Sequence, residues 1–145
     1  RHIVPHPVNL NPDTVDALSC ISFAFICIDD GPSKRTIIDR LAAIGASFVD
    51  VGMGLELDQS SLGGILRVTA STPENRSHHG RIDFVGGGGD DVYASNIQVA
   101  DLNAFNALMA VIKWKKLRGF YRDLEQELHS TYTIDGNLLL NGELP

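Results

Sequence analysis

An unbroken apolar run, Phe23-Ala24-Phe25-Ile26-Cys27-Ile28, stops abruptly at Asp29-Asp30-Gly31. Continuous rather than alternating apolarity over this length reads as a strand covered on both faces, the pattern of a central strand in a parallel sheet. From Pro32 to Ile44 the apolar positions Ile37, Ile38, Leu41 and Ala42 keep a 3.6-residue period until Gly45 closes it, which predicts a helix. Ser47-Phe48-Val49-Asp50-Val51 reads as the next strand. Strand, helix and strand make a βαβ unit, which should be parallel and right-handed. Upstream, His2-Ile3-Val4 reads as a short strand, and Asn11-Pro12-Asp13 starts a short helix running to about Ser19 with Val15 and Leu18 inward.

The pattern changes after Val51. Gly52-Met53-Gly54-Leu55-Glu56-Leu57 and Gly63-Gly64-Ile65-Leu66-Arg67-Val68-Thr69-Ala70 suggest two antiparallel or mixed strands joined around Asp58-Gln59-Ser60-Ser61. Residues 72–95 form a long polar connection, expected to be mobile or functional because loops of that length are unusual in a compact domain. From about Asn96 to Arg122 the chain reads as its longest helix, with Val99, Leu102, Phe105, Met109, Ile112, Trp114 and Leu117 as one stripe against the sheet. Gly119 either caps this helix or interrupts it before a continuation over 120–128. A β-hairpin over 129–141 follows, with Asp135-Gly136 as the turn pair. The expected architecture is α/β and Rossmann-like: a mostly parallel sheet with mixed strands, one long late helix and a C-terminal hairpin, in a single domain over residues 1–145.

Composition narrows the classes without choosing among them. Twelve Lys and Arg against eighteen Asp and Glu give a net charge of −6, which argues against a nucleic-acid-binding surface. The local cluster Lys113, Lys115, Lys116 and Arg118 suits the last turn of a helix, where cations complement the dipole. No apolar run approaches the roughly 18 residues of a membrane span, and the N-terminal segment has no signal-peptide core. Cys20 and Cys27 lie in or beside apolar segments and are expected to be buried, reduced thiols of a cytoplasmic protein. The first residue is Arg rather than Met, which suggests a processed product or a piece of a longer chain.

Among candidate sites Asp29 and Asp30 lead, because they fall at the carboxyl end of a strand, where open α/β sheets form their crevice. A carboxylate there can hold Mg²⁺ on a nucleotide's phosphates, and equally an acid there can cap the helix that follows. With two acids, one can cap while the other faces the crevice. Gly52-Met53-Gly54 is no dinucleotide fingerprint, since Leu57 stands where the third Gly belongs and strand follows instead of helix. The four glycines 86–89 lack the Lys-Ser/Thr of a phosphate loop, and His78, His79, Asp83, Asp90 and Asp91 lack the spacing of a metal site. No Gly-x-Ser-x-Gly nucleophile turn occurs, and neither cysteine sits in an electropositive setting.

Taken together, Cys27-Ile28-Asp29-Asp30, a helix carrying Lys34-Arg35, Asp50-Val51-Gly52-Met53-Gly54, Gly63-Gly64-Ile65-Leu66-Arg67-Val68 and the small-residue-rich segment Ala104 to Lys113 resemble the ThiF/MoeB family of ubiquitin-like-protein activating enzymes. The likeness covers about residues 2 to 118 and rests on the order of elements more than on one motif. It implies an adenylyltransferase that uses Mg·ATP to activate the C-terminal glycine of a ubiquitin-like or sulfur-carrier β-grasp protein. In the family pattern an Asp after a strand helps to hold Mg·ATP, and Asp29 matches it; Asp30 stands where the family usually has Asn. Asp29 is thus the implied catalytic and magnesium-side residue, with Asp30 beside it at the cofactor. The family's glycine-rich ATP loop and its phosphate-contacting Lys would lie upstream of residue 1. That makes this chain the carboxyl-terminal portion of an adenylation domain, inactive alone, its ATP and Mg²⁺ bound in an intact parent. The Cys-x-x-Cys pairs of many relatives are absent, so no zinc is expected.

A non-enzymatic Rossmann-like interaction module is the alternative, whereas an NAD-dependent oxidoreductase is disfavoured by the missing glycine turn. A half-domain leaves a sheet edge and an apolar face uncovered, so a homodimer is expected, through the long helix or an exposed strand. Neither nucleic acid nor membrane is expected as a partner.

Overall fold

A computed structural model describes residues 2–85 and 97–142. One five-stranded sheet organises them, in the order β1 (Phe23–Ile26), β2 (Ser47–Asp58), β3 (Ser61–Ser71), β4 (His129–Thr133) and β5 (Leu138–Asn141). Helix α1 (Gly31–Ala43) connects β1 to β2, which run parallel, with Phe25 beside Val49. The other three pairings are antiparallel. The protein is therefore α/β with a mixed sheet, but the expectation of a mostly parallel one is corrected. The turns from β2 to β3 and from β4 to β5 are too short for a parallel crossover, which forces antiparallel pairing there, and the long connection through residues 72–128 brings β4 in antiparallel to β3.

α1 begins where expected. The Asp30 side chain accepts from the Ser33 amide at 2.8 Å, Pro32 stands in the first turn, and Gly45 closes the helix with φ +71°. Lys34, Ile37, Ile38 and Leu41 are its buried side chains, at helical spacing. They pack with Ile26, Ala46, Phe48 and Ile82 as the core on one sheet face. β2 runs straight through Gly52-Met53-Gly54 as a 12-residue strand, and its hairpin with β3 turns at Gln59, whose φ is +54°.

The opposite sheet face is covered by α2 (Ala100–Leu117). Val49, Val68, Ala70, Ala110 and Leu128 form that core, with Phe23, Val51, Met109 and Leu117 against it. The expected stripe holds in part: Val99, Leu102, Met109, Trp114 and Leu117 are half-buried, but Phe105 and Ile112 are exposed. The fully buried positions are Asn106, Ala110 and Lys113. Ala110 lets the helix approach closely, and the two polar side chains reach main-chain oxygens, Asn106 Nδ2 to Gly52 O at 2.9 Å and Lys113 Nζ to Glu127 O at 2.6 Å. α2 ends at Gly119 (φ +71°) and no helix continues over 120–128.

Other expectations are corrected too. β1 is an edge strand among the described residues, and Phe25 is exposed. His2-Ile3-Val4 lies outside the sheet, with Ile3 exposed, since no strand is placed beside it. The early helix shrinks to a 3-10 turn, Val15–Leu18. The hairpin turn has four residues, 134–137, with positive φ at Asn137 rather than at Asp135-Gly136, because Tyr132 Oη donates to Asn137 Oδ1 and holds that wider loop. In its described residues, 72–85, the polar connection carries a bridge between Thr72 and Asn75, a 3-10 turn at Ser77–Arg81 and the buried Ile82. The glycines 86–89, Asp90, Asp91 and the expected helix start at Asn96 lie outside the described residues.

Candidate functional site

Side chains alternate between sheet faces, so Phe23, Phe25, Cys27 and Asp29 continue one face of β1 past its end. Val51 and Met53 lie on the same face of β2. Together with Gly52, Gln98, Asn103, Asn106 and Ala107 they line a cavity of about 260 Å³ between the end of β1, β2 and the first half of α2. Asp29 is exposed at this cavity, whereas Asp30 turns to the helix it caps. The hydrogen bonds from Ser33 hold the Asp30 carboxyl below its usual range. The structure thus separates the two acids: one lines the crevice and its neighbour begins α1.

Cys27 shares the cavity, and both cysteines are exposed free thiols, not the buried ones expected. Cys27 follows the last residue of β1 into the crevice, and Cys20 leaves the 3-10 turn on the surface. Partial desolvation where the crevice walls approach the Cys27 sulfur, then the negative charge of Asp50, push its thiol up against the pull of Lys34. It is protonated at neutral pH, which makes it a poor nucleophile.

Behind this crevice, on the other sheet face, lies a charge cluster that sequence reasoning missed. Asp50, fully buried in β2, stands 3.3 Å from Lys34 Nζ and 3.5 Å from Arg67 Nη2. Neither contact is a well-formed hydrogen bond, and both Asp50 oxygens lack one. Burial therefore pushes the Asp50 carboxyl up, opposed first by Lys34 and then by Arg67. Gly52 makes the arrangement possible: it faces Arg67 across the ladder, and a Cβ there would collide with the guanidinium. This glycine, already excluded as a nucleotide turn by its sequence context, is room for an arginine. The cluster's one sequence signal is Asp50 inside an otherwise apolar strand, since a buried acid needs a cation.

His79 and His129 serve the core. His79 Nε2 lies 2.7 Å from Ser71 Oγ, which also accepts from Arg76, and its ring rests on Phe48. His129, buried in β4, lies 3.0 Å from Thr69 Oγ1 and stacks with His78 at 6.3 Å. Burial, with Arg81, Arg67, His78 and Lys113 facing it, holds His129 down to about 4. Among the described residues no group of three His, Cys, Asp or Glu is placed to hold a metal, and no helix is long and apolar enough to cross a membrane.

The basic cluster is likewise committed. Lys113 and Lys116 both meet Glu127 Oε1, at 2.7 and 2.6 Å, and Lys116 also meets Asp123 at 3.3 Å. Burial opposes ionisation of Glu127, but the hydrogen bonds from Lys113 and Lys116 outweigh it and hold the carboxyl at about 2. Lys115 lies over Phe120 and Tyr121, and Arg118 over Phe23. The lysine contacts fasten the 120–128 segment to α2, beyond any dipole effect, and Arg118 reaches β1. Neither a protein-family model nor a curated protein matches this chain.

Proposed function

We propose that this chain carries the magnesium-side acid of a ThiF-type adenylation site, which activates the C-terminal glycine of a ubiquitin-like or sulfur-carrier β-grasp protein. The observation that supports the reading is Asp29, exposed on a cavity at the carboxyl end of β1, with Asp30 turned away from it to cap α1. A hard carboxylate at that edge suits Mg²⁺ on a phosphate chain. The cavity is smaller than the roughly 300–1,000 Å³ of ordinary small-molecule sites, and no cation is among its described lining residues. It fits part of a nucleotide, and the groups that grip the remaining phosphates have to come from outside this crevice. Bound Mg·ATP would supply the electrophilic phosphorus and the pyrophosphate leaving group. The protein's part is to neutralise charge and position two anions, which needs no protein acid or base. Two free thiols suit a reducing cytoplasmic setting.

The test is ATP–pyrophosphate exchange by the intact protein that carries these residues, with Mg²⁺ and a β-grasp protein ending in glycine. Asp29→Ala should lower exchange about 100-fold, as the loss of a preorganised electrostatic group does, with unchanged thermal unfolding. Asp30→Ala should do the reverse, costing about 1 kcal/mol of stability as a lost cap and leaving exchange largely intact. Full exchange in Asp29→Ala refutes the assignment. The exposed apolar face of α2 favours a second reading, a non-enzymatic interaction module, which that result would promote.

A further inference from the structure

Asn106 brings to the cavity a polar atom with nothing to bond. The residue is 4% exposed, and its Nδ2 donates to Gly52 O at 2.9 Å. A main-chain carbonyl only accepts, so this bond fixes which way the amide is turned and leaves Oδ1, buried and without a partner, as the group it offers the cavity. The other buried side-chain atoms without a hydrogen bond, among the described residues, belong to Arg40, Asp50, Arg67, Asp123 and Glu127, each of them in an ion pair. Asn106 has no such pairing to account for it. A buried carbonyl oxygen without a donor destabilises the fold, and a bound donor offsets that cost.

The lining defines the donor. Asp29 and the Asn106 carbonyl both accept hydrogen bonds, while Asn103 Nδ2 is spent on Gln98 Oε1 at 3.0 Å. A phosphate oxygen is therefore not what reaches Asn106, since oxygen would face oxygen with no cation among the described lining residues. A nucleotide base does not suit it either, because the apolar walls are Val51, Met53 and Ala107 and no described lining residue offers an aromatic face for stacking. What suits this crevice is an uncharged N–H on a slender backbone. The acceptor protein of the adenylation reading carries one, the main-chain N–H of its last glycine, beside the carboxylate that has to reach the phosphate at Asp29.

From this orphaned acceptor we infer that Asn106 Oδ1 accepts the N–H of the C-terminal glycine of the β-grasp protein and so positions the glycine carboxylate beside Asp29. The inference rests on the adenylation reading and adds to it the residue that reads the tail.

ATP–pyrophosphate exchange by the intact protein tests it, with β-grasp proteins ending in glycine or in glycolic acid, whose ester oxygen replaces that N–H without added bulk. The wild type should show a KM about 10-fold higher for the glycolate tail, with its KM for ATP unchanged, as the loss of one hydrogen bond to a buried acceptor implies. Asn106→Ala should raise the KM for the glycine tail by about the same factor and no longer distinguish the two tails, a result that a merely structural role for Asn106 does not produce. Should Asn106→Ala fail to fold, the comparison of the two tails on the wild type decides. Equal KM values on the wild type, or an Asn106→Ala protein that keeps the preference for glycine, overturn this inference and leave the adenylation reading standing. No exchange with either tail refutes the adenylation reading, and the role of Asn106 falls with it.

Discussion

Replacing Lys34 by Met removes the nearer of two cations facing a fully buried carboxylate while keeping the volume of the side chain. Lys34 is 3% exposed and Asp50 0%, with 3.3 Å between Nζ and Oδ1. At that separation the attraction is about 5 kcal/mol for an effective dielectric constant of about 20. Arg67 remains as partner but is farther away and 22% exposed. The expected loss is therefore about 3–5 kcal/mol, the usual result of leaving a buried charge short of its counter-ion. For a chain of this size that lowers Tm by about 10 °C. Asp50→Asn alone should also destabilise, since it strands Lys34. The double variant, Lys34→Met with Asp50→Asn, should recover most of the loss, giving a coupling of about 3 kcal/mol in a urea-denaturation cycle.

The pH dependence has a definite sign. Burial already raises the folded-state pKa of Asp50, and removing Lys34 raises it further. The folded Lys34→Met protein therefore takes up the Asp50 proton more readily than the unfolded chain, and the penalty is largest at neutral pH and shrinks on acidification. Equal stability of Lys34→Met and wild type at pH 7, or a cycle with no coupling, would refute this account of the cluster.

His129 should make the folded protein sensitive to mild acid. Its folded pKa of about 4 lies below the ordinary 6.5, so the unfolded chain binds its proton first, and stability falls as pH drops from about 6.5 to about 4, by about 2–3 kcal/mol in all. Thermal unfolding across that range should show the slope, and His129→Gln should flatten it; an unchanged slope removes His129 as the source. Gly52→Ala should cost about 1–2 kcal/mol, because the methyl group displaces the Arg67 guanidinium and leaves Asp50 less well compensated. If the same substitution in a Lys34→Met, Asp50→Asn background costs just as much, the effect belongs to backbone packing and not to the cluster.

The sequence by itself determined the elements whose reasons are local. The apolar run of β1, the period of α1, the Asp30 and Gly45 boundaries and the β2–β3 hairpin all depend on residues adjacent in the chain, and each stands in the structure. The separation of Asp29 from Asp30 was legible for the same reason, since a cap bonds within three residues of itself.

What only the tertiary structure decided depends on partners distant in sequence. The pairing and direction of β4 against β3 follow from which strands become neighbours, which no local pattern encodes. The orientation of α2 departs from the simple rule that apolar residues face inward, since Asn106 and Lys113 are buried while Phe105 and Ile112 are exposed. Buried Asn106 and Lys113 bond to main-chain oxygens of Gly52 and Glu127, and those bonds exist only once the helix lies on the sheet. The sequence context of Gly52 already excluded a nucleotide turn, but its actual role emerged only when Arg67, 15 residues on, proved to occupy the space where a side chain would be. Asp50 found its cations on α1 and β3 in the same way. Periodicity reports the average environment of a residue, whereas polar burial and close approach are pairwise properties that appear only when the chain has closed on itself.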